Sequence, residues 1–367
     1  MRIALIHHSD DLSNDYAAYL AALLDDTAKE KEYLIKDYDH LVNAKERIEE
    51  ENVLLHIVIP ANSSFSLKYW YGYKLARIFK KYKIDAAICL YGVCTSSSIN
   101  QLLVIPDTAL LHPQKGMLPW QQFAASKMKE SLRIAASILT YSNASAQAVN
   151  VLAENNSKKI KAIPYTAPEI FVPMEWHNKL YVKSRYAQNK EYFIAILPDN
   201  NEAIFVDLLK AYSKFKKWQQ SSMKLILLPK EEGFSNAVDN KLSTYKYRED
   251  VSLVNDADKK DVADLLAASY GLLHPAMGDA DLWPVVIALQ CNTPIITTDT
   301  KSIKEYAGDA GVYVAEKDYE VFGDELSRIY KDETLKSKMA AAAVLQTANY
   351  KQQDHTEKLW QLLTQMQ

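Results

Sequence analysis

Residues 271–314 read GLLHPAMGDADLWPVVIALQCNTPIITTDTKSIKEYAGDAGVYV and contain the clearest fold signal in the chain. It opens with a short apolar run that ends at His274-Pro275, which predicts a buried parallel strand. A polar loop follows, and Pro284 then stands where the first turn of a helix tolerates proline, ahead of the apolar segment 285–290. A second strand is predicted at 295–297. The stretch therefore predicts a βαβ unit, in which ligands bind beyond the carboxyl ends of the strands.

The same alternation of strand and helix extends over the whole chain. Strands are predicted at 2–6, 53–60, 84–90, 109–113, 137–141, 160–163, 192–197, 224–228 and 251–254, besides those of the opening stretch. Helices are predicted at 14–24, 67–81, 121–135, 144–154, 206–215, 259–268, 285–290, 319–330, 333–350 and 353–366. His7 and His8 are assigned to the loop after the first strand. This order predicts an α/β chain with parallel sheets.

Composition bounds the class of protein. A length of 367 residues suggests two or three domains, and 48% hydrophobic with 24% charged residues is ordinary for a globular protein. A net charge of −3 makes nucleic acid an unexpected partner. No apolar run reaches about 18 residues, so no transmembrane segment is predicted, and the first residues turn acidic too soon for a signal peptide. We therefore expect a cytoplasmic protein, with peripheral membrane contact left open.

Glycine is unusually scarce. The chain has 9 glycines, whereas average usage would give roughly 25. Loops that cradle phosphates use glycine to let backbone amides approach the ligand, so this composition argues against an ordinary diphosphate pocket. The three cysteines are too few and too scattered for a disulfide framework or a zinc site, and we expect no metal site.

Two blocks of sequence carry a resemblance to a known family. The first contains Pro275, Pro284, Ala288 and the run 293–296, followed by Glu305 and the run 308–310; the second contains 141–145, 161–164 and 171–173. In these blocks the chain resembles the retaining nucleotide-sugar glycosyltransferases of family 4, which have the GT-B fold. The resemblance implies two Rossmann-like domains facing a cleft. They are an acceptor domain at 1–168, joined by a C-terminal helix within 351–367 that returns to it, and a donor domain at 169–350, with a linker at 164–173.

The resemblance also implies an activity. A sugar would pass from a nucleotide-diphosphate sugar to an acceptor, with retention of configuration and without a metal or other cofactor. Donor contacts are expected from Asp279, Thr293 and Glu305, and Asp279 is one candidate catalytic residue. His112 is the other, because it matches the histidine of a histidine–aspartate pair in the family, although Pro113 replaces the aspartate. The alternative for His112 is a structural histidine.

Departures from the family pattern fall at the donor positions. The family has two glutamates there, and in register this chain has Asp279 and Ile287. Isoleucine cannot accept a hydrogen bond, so one contact is lost, and Ile287→Glu is expected to restore it if the family backbone is kept. Asp281 replaces part of a glycine-rich turn, where it would repel a diphosphate; we expect it to cap the next helix instead.

The basic pair that neutralises the donor diphosphate in the family is also missing. In register Glu202 stands at the lysine position, and an unpaired diphosphate beside carboxylates is costly to bury. Lys230 follows a predicted strand and is one basic group able to replace the pair; the alternative is a solvated lysine. Two hypotheses therefore remain: a glycosyltransferase, or a GT-B protein that has lost catalysis and serves a protein partner. The sequence identifies neither the donor nor the acceptor.

Overall fold

The computed structural model describes residues 1–8, 15–60, 63–95, 98–153, 159–197, 202–229, 240–350 and 352–366. The chain divides into two compact units, one formed by Met1–Tyr165 with Gln352–Gln367 and the other by Thr166–Lys351. Each unit contains one sheet, and all the described strand pairings are parallel. The prediction of an α/β fold with two Rossmann-like domains is confirmed.

The first unit contains a seven-stranded sheet in the order β2-β3-β1-β4-β5-β6-β7. Its elements are β1 Arg2–His8, α1 Asp15–Glu30, β2 Leu34–Asp37, α2 Tyr38–Ala44, β3 Val53–Ile59, α3 Ser64–Tyr69, a π-helical turn Trp70–Lys74, α4 Leu75–Tyr82, β4 Ala86–Cys89, β5 Asn100–Val104, a 3₁₀ helix Thr108–Leu111, α5 Pro119–Ile134, β6 Ser137–Thr140, α6 Asn143–Leu152 and β7 Ile160–Ala162. The central strand β1 is buried at Ile3–Ile6 because neighbouring strands and covering helices surround it.

The second unit contains a six-stranded sheet in the order β10-β9-β8-β11-β12-β13. Its elements are α7 Trp176–Tyr186, β8 Tyr192–Leu197, α8 Glu202–Gln219, β9 Lys224–Pro229, β10 Val251–Leu253, α9 Lys259–Ala268, β11 Gly271–His274, α10 Trp283–Gln290, β12 Ile295–Thr298, α11 Lys301–Ala307, β13 Gly311–Val314, α12 Tyr319–Lys331 and α13 Glu333–Thr347. The chain builds one side of the sheet outward from β8 and then the other from β11. The topological switch point therefore lies between β8 and β11, where α/β sheets bind ligands.

Two sequence predictions for the first unit are wrong. The segment predicted as a strand at 109–113 is a 3₁₀ helix at Thr108–Leu111, started by the Asp107 carboxylate, which accepts a hydrogen bond of 2.8 Å from Ala109 N. The strand of this region is β5, which begins with polar residues and so lacks a strong pattern. His7 and His8 also belong to β1 and not to a loop, because β1 pairs with β3 as far as His8 opposite Ile59.

The last helix of the chain, α14 Gln352–Thr364, belongs to the first unit. Its buried side chains include Leu359, Leu362 and Leu363. The Asn100 side-chain amide donates a hydrogen bond of 2.6 Å to the Met366 carbonyl, which ties the end of the chain to β5. This helix therefore completes the core of a unit whose other elements all lie within Met1–Tyr165.

Buried His355 on α14 makes the stability of the first unit depend on pH. The pKa of His355 is lowered from 6.5 to about 4, mainly by burial. The Lys358 ammonium also lowers this pKa, and the Asp354 carboxylate raises it by a smaller amount. The unfolded chain therefore binds a proton that the folded chain excludes, so the free energy of unfolding falls as the pH drops from 6.5 towards 4. The limiting slope for this one proton is about 1.4 kcal/mol per pH unit. Urea unfolding across this range should show a steeper loss in the parent than in His355→Gln, and equal slopes would contradict the assignment.

Candidate functional site

The switch point of the second unit is the natural place for a ligand, and the loop 275–282 forms its described part. This loop joins β11 to α10 at the carboxyl edge of the sheet. The loop that follows β8, 198–201, lies outside the described residues. Lys230, which follows β9, also lies outside them, so its role as the replacement cation stays a prediction.

Asp281 holds the loop 275–282 together through hydrogen bonds to residues that precede it. Its carboxylate accepts a hydrogen bond of 3.0 Å from Met277 N, and its carbonyl oxygen accepts one of 2.9 Å from His274 Nε2. The same histidine nitrogen lies 3.7 Å from the Asp281 carboxylate. His274 is buried at the end of β11, so these contacts fix the loop to the sheet. The loop conformation is thus held by its own polar side chains.

The prediction that Asp281 caps the following helix is wrong. The N-cap of α10 is Leu282, whose apolar side chain makes no capping hydrogen bond. The aspartate carboxylate instead bonds four residues back, because the turn at Gly278 brings Met277 N within its reach. The first turn of α10, in which Pro284 has no N–H, is therefore not capped by the Leu282 side chain, and helix N-termini of this kind favour anions.

Asp279 is bonded to the helix that follows the next strand. Its carboxylate accepts a hydrogen bond of 2.8 Å from Ser302 N and a short one from the Ser302 hydroxyl. Ser302 lies in the first turn of α11, where a carboxylate interacts favourably with the helix dipole. Asp279 therefore ties the loop after β11 to the first turn of α11, and its carboxylate has a structural role at this edge of the sheet.

Ile287 occupies a fully enclosed position. Its exposed fraction is 0%, and every residue of α10 from Pro284 to Leu289 is buried. Among the described helices, α10 packs against α13, α11 and α9. A side chain at this position therefore faces the interior of the second unit, and a carboxylate placed there would lose its hydration.

Glu202 has acquired a cationic partner. It is the first residue of α8, where the helix dipole favours a negative charge. Its carboxylate forms an ion pair of 2.6 Å with Lys241 Nζ. Both side chains are at least one-third exposed, so the pair contributes little to stability. It nevertheless places a lysine near the start of α8, next to the segment where the family has its basic pair.

Thr293 and Glu305 are placed differently from Asp279. Thr293 precedes β12, at the amino edge of the sheet, and its buried hydroxyl donates a hydrogen bond of 2.9 Å to the Leu266 carbonyl. Glu305 lies in α11 with a half-buried side chain, and its carbonyl accepts a hydrogen bond of 3.1 Å from the Tyr350 hydroxyl. Thr293 thus ties α9 to β12 at the edge opposite Asp279, so its predicted role as a donor contact does not fit its position.

His112, the candidate of the first unit, lies on an exposed segment. It follows the 3₁₀ helix Thr108–Leu111 in an extended conformation, and its side chain is exposed. It thus stands eight residues beyond the end of β5 at Val104 and not at the end of a strand. Its catalytic role stays a prediction.

Three residues near the carboxyl edge of the second sheet were not predicted from the sequence as parts of the site. Ser302 and Lys241 are the partners of Asp279 and Glu202, and nothing local in the sequence marks them. Thr297 is the third: its hydroxyl is buried at the carboxyl half of β12 and has no hydrogen-bond partner in the described part of the chain. It is the register partner of His274, so the two polar side chains lie near the carboxyl ends of neighbouring strands. A polar residue near the end of each of two buried strands was the available signal.

Comparison with known proteins accounts for this architecture. Residues 182–346 match the family of glycosyl transferases group 1. Anabaena HepE in complex with UDP-glucose superposes with a TM-score of 0.71 over 100% of both chains, at 12% identity. The fold is that of the GT-B glycosyltransferases. Sucrose-phosphate synthase from Thermosynechococcus elongatus gives a TM-score of 0.71 at 14% identity, covering 100% of this chain and 99% of that chain.

A glycosyltransferase from Rickettsia africae is similar as well, with a TM-score of 0.69 at 13% identity, covering 100% of this chain and 98% of that one. At these identities the likeness shows the GT-B fold alone. No curated protein matches the sequence significantly. None of the helices in the described part of the chain has the length and apolar content needed to cross a bilayer. The second unit of this GT-B fold thus carries the matched domain, together with the switch point at β8 and β11.

Proposed function

We propose that the protein is a glycosyltransferase that takes its sugar from a nucleotide-diphosphate sugar, with retention and without a divalent metal. One observation carries the proposal: the match to the glycosyl transferases group 1 covers the unit whose sheet has its switch point at β8 and β11. HepE, a structural neighbour, is known in complex with UDP and with UDP-glucose, which makes a uridine diphosphate sugar the first donor to test.

The described residues support specific roles in such a reaction. The N-cap side chain of α10, Leu282, makes no capping hydrogen bond, so the N–H groups of its first turn would be available to a diphosphate. Lys241, which is paired with Glu202, would place a positive charge near the start of α8. Asp279 would contact the donor sugar while remaining bonded to Ser302. Lys230 and Glu305 are further members of the proposed donor site, and His112 of the first unit stays a predicted catalytic residue.

Specific observations favour a second candidate, a GT-B protein that has lost catalysis and acts as a binding partner of another protein. Ile287 is fully buried and cannot bond a ribose hydroxyl, and the Asp279 carboxylate is already bonded to Ser302. Acidic Asp281 lies one residue before the N-cap of α10, where it opposes a diphosphate. The two candidates differ in whether nucleotide sugar is bound and turned over.

Both candidates predict weak nucleotide binding by the parent. Each lost charged hydrogen bond costs roughly 1–3 kcal/mol. Loss of the basic pair and of the second glutamate therefore shifts a micromolar dissociation constant to about millimolar. Calorimetry with uridine, guanosine and adenosine diphosphates measures this directly. A low-micromolar constant would contradict the expected loss and would mean that other residues form a complete donor site.

Turnover separates the candidates. Under the proposal, the parent releases nucleotide from a donor sugar in the presence of acceptor and in excess chelator, and NMR of the product shows retention at the anomeric carbon. Asp279→Asn should then lower kcat, whereas Asp309→Asn, an equal change at the amino edge of the sheet, should not. Absence of both nucleotide binding and turnover over the whole donor panel would reject the enzyme and leave the second candidate.

A further inference from the structure

The helical segment formed by α3, the π-helical turn and α4 has a charge unlike that of the rest of the chain. Residues 60–84 contain six basic residues and no acidic one, although the whole chain has a net charge of −3. The six are Lys68, Lys74, Arg77, Lys80, Lys81 and Lys83. A positive field of this kind on one segment attracts an anionic surface.

Aromatic side chains lie exposed along the same segment. Phe65 is 81% exposed, Tyr69 49% and Tyr73 45%. They are spaced four residues apart and therefore lie along one face of the helical segment. Its opposite face is buried in the first unit through Leu67, Trp70, Leu75, Ile78 and Phe79. The exposed aromatic row is therefore not needed for the core.

The basic side chains beside this row are not neutralised. Lys68, Arg77, Lys80 and Lys81 are exposed, and none of them forms an ion pair with a carboxylate among the described residues. Arg77 lies over the Tyr73 ring, with its guanidinium carbon 4.0 Å from the ring centroid. Tyr69 and Tyr73 lie against each other, with ring centroids 5.9 Å apart. Aromatic rings and uncompensated cations thus share one continuous face.

We propose that this face, defined by Phe65, Lys68, Tyr69, Tyr73, Arg77, Lys80 and Lys81, binds the surface of an anionic lipid bilayer. The aromatic rings would enter the boundary between headgroups and acyl chains, and the basic groups would contact lipid phosphates. A bilayer is favoured over an acidic protein or nucleic acid because a row of rings with this exposure needs an apolar phase as well as negative charge. The inference goes beyond the proposed function and does not depend on it.

Vesicle flotation of the full chain tests the proposal. The parent should bind phosphatidylcholine vesicles that contain phosphatidylglycerol and should not bind vesicles of phosphatidylcholine alone. Raising the salt from about 0.1 M to about 1 M shortens the Debye length from about 10 Å to about 3 Å and should release it. Lys80→Glu with Lys81→Glu should lower the partition coefficient at least about tenfold, because each basic residue contributes about fivefold. Phe65→Ser with Tyr69→Ser should weaken binding at unchanged charge.

Matched variants elsewhere on the surface control for net charge and for exposed aromatic area. Lys331→Glu with Lys338→Glu makes the same change of charge on α12 and α13, and Trp176→Ser with Tyr181→Ser removes two exposed rings from α7. Both should leave vesicle binding unchanged. Equal loss in the controls, or equal binding to neutral vesicles, would overturn the proposal. Retention by double-stranded DNA or polyglutamate in place of anionic vesicles would overturn it too and would assign the face to an acidic macromolecule.

Discussion

Replacement of Ile287 by glutamate is expected to unfold the second unit before it restores any contact with a nucleotide. Ile287 has an exposed fraction of 0% within a helix whose residues Pro284–Leu289 are all buried. A carboxylate there would lose its hydration without a described cationic partner, and the cost falls in the range above about 4 kcal/mol that marks severe mutations. Urea unfolding should show a much lower midpoint, or an unfolded second unit.

Two variants control for the size of the side chain and for the charge alone. Ile287→Val should cost about 1 kcal/mol, since it removes one buried methyl group. Val321→Glu, on α12 where the side chain is 38% exposed, should be close to neutral. If Ile287→Glu keeps the parent midpoint and gains stabilisation by nucleotide, the position is open. The expectation that Ile287→Glu restores a donor contact would then hold, although the complete burial of Ile287 argues against it.

Removal of residues 351–367 is expected to prevent the first unit from folding. The segment contributes buried Leu359, Leu362, Leu363 and Met366, and the Met366 carbonyl accepts the hydrogen bond from Asn100. Truncation of one such leucine typically costs about 2–5 kcal/mol, while the whole stability of a domain is about 5–15 kcal/mol. Losing all four side chains therefore costs more than the whole free energy of unfolding of the unit.

Limited proteolysis of the truncated chain measures this, with rapid cleavage expected within residues 1–165 and protection of the second unit. Leu363→Ala gives the graded version, with a loss of about 2–5 kcal/mol in urea unfolding. Gln361→Ala, at an exposed position on the same helix, should have almost no effect. Protection of the first unit after truncation would show that α14 does not complete its core.

Elements with strong local patterns could be predicted from the sequence alone. The predicted strand 192–197 and the predicted helix 259–268 have the same bounds as β8 and α9. Both could be predicted because a continuous apolar run and a helical apolar period can be read from consecutive residues. Weak patterns failed: β5 begins with polar residues, and the short run at 109–111 has the same composition in a 3₁₀ helix as in a strand. His112 was assigned to a strand end for this reason.

The α/β class and the position of the loop 275–282 beyond β11 could be predicted from the order of apolar and turn residues along the chain. What the residues of that loop contact depends on packing between distant segments. Asp279 meets Ser302 across 23 residues of chain, and Glu202 meets Lys241 across 39. Ile287 is enclosed by helices that precede and follow it. The availability of a carboxylate to a ligand depends on solvation and partners, and these are set by packing between segments that are distant in the chain.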